Sequence, residues 1–472
     1  MLFKYFLIEE YRKYSNLFGK LLFVMFSLIC FGGGVLFILS YPYLTQIFSF
    51  NQLMFFLVLV FFIFGISVGS YSLMTTESFF KKSKTTHLNY SLKIHPVNVS
   101  TIRVKHILKD ILFYFLFWIL PVILGLRVGM HFFSEGIPYL GMLLSQEGML
   151  YLTITLFFVF GYSLSSILSV LYNNHRKIFF ATVVLIVGFF IFINMNNIYL
   201  FIRDMINSTS SFLINFTIFS LLSLISLYYV SHVDIKHKEK TVIESSFRKV
   251  NNYVKKVIKK KSQSVLASKQ ILDFNRSFMG FGKILFLFML PLVLILIIVY
   301  IFMNFVPIFN IVFLFSVLFA QFASTTYTML CEFDEIDEYF TLPILVKDVI
   351  SSKMYLYYFV NSVVILVILL YSPFGIIDSL LGILLYLVVQ TYSMSVLIYL
   401  GGLSPHLRLY NSKLFALYLI YILPFLIILL VLSSFNFLFT LPLLVFLLYR
   451  SYSLIKLSFD KWEYLEKELV GN

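Results

Sequence analysis

The chain has 472 residues, 60% of them hydrophobic and only 12% charged, with a formal net charge of +14. A soluble enzyme or binding module of this length is excluded, because a folded soluble domain keeps much of its area in water and needs far more polar surface. The two cysteines, Cys30 and Cys331, offer neither a disulfide framework nor a metal pattern.

Apolar runs of about 20 residues recur along the whole sequence, the length that crosses roughly 30 Å of hydrocarbon. The composition therefore reads as an all-α polytopic membrane protein. Twelve spans are expected, with cores near 21–40, 53–74, 111–126, 149–172, 178–195, 212–230, 284–303, 311–330, 355–371, 380–400, 414–433 and 437–449. Ahead of them, "MLFKYFLIEEYRKYSN" does not read as a cleavable signal. Glu9, Glu10, Arg12 and Lys13 interrupt it, and no small-residue cleavage site follows the first long apolar run.

The basic residues orient these spans. With a cytoplasmic N-terminus, all 36 lysines and arginines except Arg127 and Arg203 fall on inside segments or at their span edges. That is the bias of the positive-inside rule, and it places both termini in the cytoplasm. The positive charge thus reflects orientation and contact with anionic membrane lipid; nucleic acid is not an expected partner.

A basic segment at 233–282, with "KKVIKKKSQS" at its centre, divides the chain into a first six-span half (1–232) and a second (283–472) that ends in an amphipathic tail. The halves carry a faint repeat. "LFGKLLFVMF" (17–26) and "GFGKILFLFM" (280–289) both set Phe-Gly-Lys at a membrane boundary, with Lys20 and Lys283 as interfacial residues. Arg12 and Arg276 precede those lysines at similar distances. "HPVNVSTIRVK" (95–105) parallels "LPILVKDVISSK" (342–353), and "GYSLSSILSVL" (161–171) resembles "TYSMSVLIYLG" (391–401). The matches fall in the same order, which indicates a duplicated six-span unit. An even number of spans per unit makes the two copies a parallel repeat.

The connection after the second span of each half carries the most information. In the second half, five of the 22 acidic residues lie within seven positions: Glu332, Asp334, Glu335, Asp337 and Glu338. Phe333, Ile336 and Phe340 form one apolar face, so a helix continues out of the eighth span until Leu342-Pro343 breaks it. A second short helix is expected from Pro343, with Leu345, Val346, Val349 and Ile350 as one stripe, ending at Lys353. The first half has the same plan in the opposite sign, with Pro96, Val99, Ile102 and His106 among Lys81, Lys82, Lys84, Lys93, Arg103 and Lys105. Anionic headgroups repel the acidic version, so a basic cytosolic partner is its natural counterpart.

Catalytic motifs are missing. Neither Phe-Gly-Lys has the glycine spacing of a phosphate loop, and Leu21 and Ile284 stand where Ser or Thr is needed. There is no His-Glu metal pair and no nucleophile elbow. The span cores hold Gln321, Asn361 and Gln390 but almost no ionisable residue, which disfavours an ion-coupled pathway. Asn361 and Gln390 are expected to bond neighbouring helices.

A six-span unit with an interfacial N-terminal segment, and a second-to-third connection reading acidic–Leu-Pro–about ten residues–Lys, resembles the permease subunits of ABC-2-type exporters. The resemblance implies that this connection is a coupling helix docking on a separate ATPase subunit, with a connecting helix beside it. Carried over, the docking residues are Glu332, Asp334, Glu335, Asp337, Glu338, Leu342, Pro343, Lys347 and Lys353, with His95, Pro96, Arg103 and Lys105 as the degenerate copy. "GGLSPHLRLYNSK" (401–413) is similar to the family's short loop after the fourth span, where the first half has only "NNHRK" (173–177). The implied machine is an exporter in a prokaryotic cell membrane, with two ATPase copies holding the ATP and Mg. No cofactor is expected in this chain, and the cargo would be amphipathic or hydrophobic, a peptide, bacteriocin or lipid-like molecule. A secondary carrier of major-facilitator type and a lipid-linked polymerase or transferase are the alternatives. The first calls for a short glycine-rich loop between spans two and three, the second for a large outside loop.

Overall fold

The computed structural model describes residues 3–8, 11–12, 20–44, 50–82, 99–133, 140–175, 177–182, 204, 208–233, 244–276, 311–332, 344–370, 376–403, 412–435 and 437–470. They are helical almost throughout, with no strand among them. Six helices among them are long and apolar enough to cross a membrane: Ser100–Phe132, Gly148–Tyr172, Thr209–His232, Ser379–Gly401, Ala416–Ser433 and Leu438–Glu463. The protein is membrane-embedded and helical. Ten of the twelve expected span positions coincide with described helix; 178–195 is described only as far as residue 182, and 284–303 lies outside the described residues.

The described residues fall into two compact units, 3–233 and 244–470. The first contains α1 (Lys20–Leu44), α2 (Phe50–Lys82), α3 (Val99–Tyr114), α4 (Leu120–Phe133), α5 (Leu140–Asn174) and α6 (Thr209–His232). Here α1 packs along α4, and α2 and α6 pack along α5. Lipid removes the hydrophobic drive between spans, so close approach through small residues must hold them together. A Cβ on Gly65 of α2 would lie 2.1 Å from the Phe158 carbonyl oxygen of α5, and one on Gly161 of α5 would lie 2.3 Å from that of Phe62. Gly34 and Gly125 bring α1 and α4 together in the same way, with a Cβ on Gly125 only 2.1 Å from the Phe31 carbonyl.

A π turn, Phe115–Ile119, joins α3 to α4, and Leu120 donates its N–H to the Phe115 carbonyl. The cause lies two residues on. Pro121 has no N–H and its ring crowds the carbonyl of Phe117, four residues back, so the ladder must widen there. In hydrocarbon the freed carbonyl needs a donor. The Ser27 hydroxyl of α1 supplies it at 3.1 Å.

The second unit contains α7 (Glu244–Val257), α8 (Lys261–Arg276), α9 (Ile311–Glu332), α10 (Val346–Leu370), α11 (Ile376–Gly401), α12 (Ser412–Phe435) and, after a 3-10 turn at Phe437–Thr440, α13 (Leu441–Val470). Its second and fourth expected spans, α9 and α11, pair as α2 and α5 do in the first unit. Polar side chains fasten this bundle. Gln321 donates to Ser393 at 3.0 Å and Asn361 to Thr326 at 2.8 Å. The Tyr386 hydroxyl reaches the Asn361 carbonyl at 3.0 Å, and that of Tyr357 reaches the Gln390 carbonyl at 3.3 Å. Asn361 thus bonds a neighbouring helix, as expected. Gln390 takes part in the interhelical bonding through its backbone carbonyl.

The end of α11 is closed by a left-handed cap. Gly402, at φ 60°, donates to the Ile398 carbonyl at 2.8 Å. Trp462 of α13 donates to the same carbonyl at 2.9 Å, and Lys461 donates to that of Tyr399 at 3.0 Å, where a cation also meets the negative end of the helix. A side chain at 402 has no room, since its Cβ would sit 2.6 Å from the Trp462 ring.

Gly65→Ala and Gly125→Ala should each destabilise the first unit by about 1–3 kcal/mol through overpacking against backbone. Gly32→Ala and Gly33→Ala, where an added Cβ meets nothing within 4 Å, should be neutral or stabilising by up to ~1 kcal/mol from helix propensity. Denaturant titration of the four variants in mixed micelles gives the comparison.

Candidate functional site

The segments singled out for docking lie at the start of the third expected span in each unit. The structure corrects their form. The short second helix expected from Pro343 to Lys353 is not a separate element: α10 begins at Val346 and runs on without a break to Leu370. In the first unit α3 likewise runs from Val99 through the π turn into α4. No breaker lies between the amphipathic stripe and the apolar run in either case, so one helix serves both. The stripe itself is largely as expected, with Val346, Val349 and Ile350 buried, but Leu345 is 54% exposed.

In the second unit this helix start is gripped by α8. Asp348 stands in the first turn of α10, where a carboxylate meets the positive end of the helix. Three side chains converge on it: Lys260, Ser262 through its hydroxyl at 2.8 Å, and Gln263 through Nε2 at 3.0 Å. One turn along, Gln270 Nε2 donates to the Ser352 hydroxyl at 3.2 Å. Burial pushes the Asp348 carboxyl up. The hydrogen bonds from Lys260, Ser262 and Gln263, with the charge of Lys260, outweigh that and hold it below the usual carboxylate range. On the other side Lys347 lies over the Phe459 ring of α13, 5.5 Å from its centroid.

The first unit repeats the arrangement with other chemistry. Phe6, in the helical segment at 3–8, is buried and lies 4.5 Å from His106, centroid to centroid. Arg103 donates to the Val233 carbonyl just beyond α6. The correspondence is positional. Phe6 precedes Arg12 by six residues, as Gln270 precedes Arg276; His106 follows Pro96 by ten, and Ser352 follows Pro343 by nine. Each unit thus sets its interfacial segment against the first turns of its third helix, at positions one to two residues apart in the repeat. Arg103 and Lys347 also both reach the last expected helix of their own unit.

The expected site residues are placed as follows. Lys353 is fully buried, Lys347 is exposed, and Arg103 and Lys105 are half-buried. Arg12 is exposed. Glu332 ends α9, Lys20 opens α1 and Arg276 ends α8. Asp334, Glu335, Asp337, Glu338, Leu342, Pro343, His95, Pro96 and Lys283 lie outside the described residues.

Sequence reasoning missed Asp348 and its partners, because they stand more than eighty residues away in the basic segment. Their one trace is an acid three residues into a helix start, a favoured capping position. It also missed Lys109 and Asp110, neighbours in sequence that form a buried ion pair at 2.9 Å on the final turns of α3.

No family model, characterised protein or solved structure matches this chain.

Asp348→Asn should loosen α8 from α10 by about 2 kcal/mol, the scale of hydrogen bonds to a charged group, whereas Lys260→Ala, on a half-exposed side chain, should cost about 0.5 kcal/mol. The contribution of Asp348 is complete above its unfolded pKa of about 3.9 and is lost as pH falls through its lower folded value. Amide exchange across 261–276 as a function of pH should show that loss in the native protein and not in the Asn variant.

Proposed function

We propose that this chain is the membrane-spanning subunit of an ATP-driven exporter of the ABC-2 type, with two six-span halves fused in one polypeptide. The observation that carries the proposal is the paired, braced start of the third helix in both units. A separate ATPase must exert force on the membrane bundle through a contact at the cytoplasmic face. A helix that begins there, is held laterally by an interfacial segment and continues into an apolar span carries such force to that span. A loose amphipathic loop would absorb it.

On this reading the twelve spans have both termini in the cytoplasm of a prokaryotic cell, and the cell membrane is the location. The acidic segment from Glu332 to Glu338, with Leu342 and Pro343, receives the basic face of one ATPase subunit. The basic counterpart around His95, Pro96, Arg103 and Lys105 lies beneath the other half for a second copy. ATP and Mg belong to those partners; this chain has no phosphate loop to hold them. Closure of the ATPases would move one bundle against the other, and the Phe-, Leu- and Ile-rich walls suit a hydrophobic peptide or lipid-like cargo.

The purified chain should then neither bind nor hydrolyse ATP, and should be retained by an ATP-binding subunit encoded beside it. Replacing Glu332, Asp334, Glu335, Asp337 and Glu338 together by Ser should reduce that retention by at least about tenfold, the scale of losing several charge contacts across an interface. Unchanged retention in a pull-down would remove the docking role from this segment. Proton- or sodium-driven uptake into liposomes by the chain alone would replace the proposal with a secondary carrier.

A further inference from the structure

The sequence pattern marks 233–282 as a basic cytoplasmic linker and interfacial segment; within it, 244–276 folds as two packed helices, α7 and α8, in the second unit. The inner face of α7 is accounted for: Phe247, Val250 and Val254 are half-buried and Ile258 just beyond it is buried. The outer face is not. Arg248, Lys249, Lys255 and Lys256 are exposed there, followed by Lys259 and Lys261. No acidic residue occurs between Phe247 and Gln263. Among these cations two apolar side chains stand out from the surface, Tyr253 at 71% and Val257 at 80% exposure, four residues apart and therefore on one stripe. Lys256 lies over the Tyr253 ring at 5.7 Å.

We infer that the outer face of α7 is a docking surface for anionic phospholipid, with the lysines and arginine on headgroup phosphates and Tyr253 and Val257 inserted between them. Two observations select lipid over another occupant. The first is charge: a wholly cationic arc with an embedded aromatic matches a negatively charged interface, where aromatic rings and long basic side chains settle. The second is position. α8 is bonded to Asp348 and Ser352 of α10, and the apolar run of α10 begins near residue 355. At 1.5 Å per residue that contact lies within about 10 Å of the hydrocarbon edge. α7 packs directly on α8, so it too belongs to the region beside the membrane edge, where a cationic face is drawn to anionic headgroups. Lys260 faces the other way, onto Asp348, and links the lipid-bound helix to the third span. The inference needs only the membrane location of the chain and is independent of the exporter proposal.

The test uses the full chain in nanodiscs of phosphatidylcholine alone or mixed with phosphatidylglycerol. Tyr253→Trp provides a reporter, with the signal of the native Trp118 and Trp462 subtracted from a parallel wild-type sample. In the anionic discs the emission of the introduced indole should shift to the blue and be quenched by bromine-labelled lipid. Both effects should be absent in phosphatidylcholine and reversed by high salt. Adding Lys255→Ser, Lys256→Ser and Lys259→Ser should lower occupancy of the surface on the order of 100-fold, each basic residue contributing roughly fivefold. Unchanged far-ultraviolet dichroism and intact exchange protection at 261–276 would show that the variant still folds. Solvent-exposed emission in both discs, equal quenching in both, or quenching that needs an added protein partner would each overturn the inference. Loss of ATPase retention in the experiment above would leave it untouched.

Discussion

Hydrocarbon offers no hydrogen bonds, and that one constraint arranges most of what holds these helices together. Every carbonyl released by a proline or a helix end must find a donor on another helix. Pro121 releases the Phe117 carbonyl and Ser27 of α1 takes it. Pro424 lies inside α12, and in the turn before it the Tyr392 hydroxyl of α11 donates to the Tyr421 carbonyl at 2.8 Å. At the end of α11 the Ile398 and Tyr399 carbonyls draw in Trp462 and Lys461 of α13. Each irregularity therefore fixes a neighbour. Such bonds set the register between helices, while their strength in a membrane is modest, commonly about 0.6 kcal/mol. Close packing at the glycines supplies the remaining cohesion.

The two units solve the packing problem differently while keeping one plan. The first relies on glycine, with Gly65, Gly161, Gly34 and Gly125 letting backbones touch. The second relies on hydroxyls and amides, with Gln321, Asn361, Tyr357 and Tyr386 crossing between helices. The same divergence marks the starts of the third helices. An aromatic pair, Phe6 with His106, stands where the other unit has Gln270 with Ser352. The two contacts stand at similar places along their units and use different chemistry, so a comparison of residue types shows little of their correspondence.

Much of the fold was legible because apolar runs of membrane length need no long-range information. The helices at 20–44, 209–232 and 376–401 follow directly from their composition. The break between the amphipathic stripe and the third span was misread because amphipathicity changes there while helicity does not. Val346 to Lys353 has one buried face and Tyr355 onward is apolar on nearly every side, yet the backbone ladder runs through both. The candidate site was legible only on one side. Val346, Val349 and Ile350 announced a buried stripe, but the helix that buries Asp348 lies in the basic segment. Charge pattern there pointed to solvent and lipid, and only packing could reveal that Lys260, Ser262 and Gln263 turn inward.

The basic segment consequently has two faces with separate duties, and the energetics keep them separate. Lys260, itself half exposed, adds a third contact to a buried carboxylate that already accepts two other hydrogen bonds, so its hold on Asp348 is specific but modest. The neighbouring Lys259 and Lys261 face water and exchange partners at little cost. A run of three lysines therefore divides into one structural member and two interfacial ones, according to the direction each takes from the turn between α7 and α8. The outer face is thereby tied to α10 through Lys260, Ser262 and Gln263 at the turn, and again through Gln270 and Ser352 one turn along.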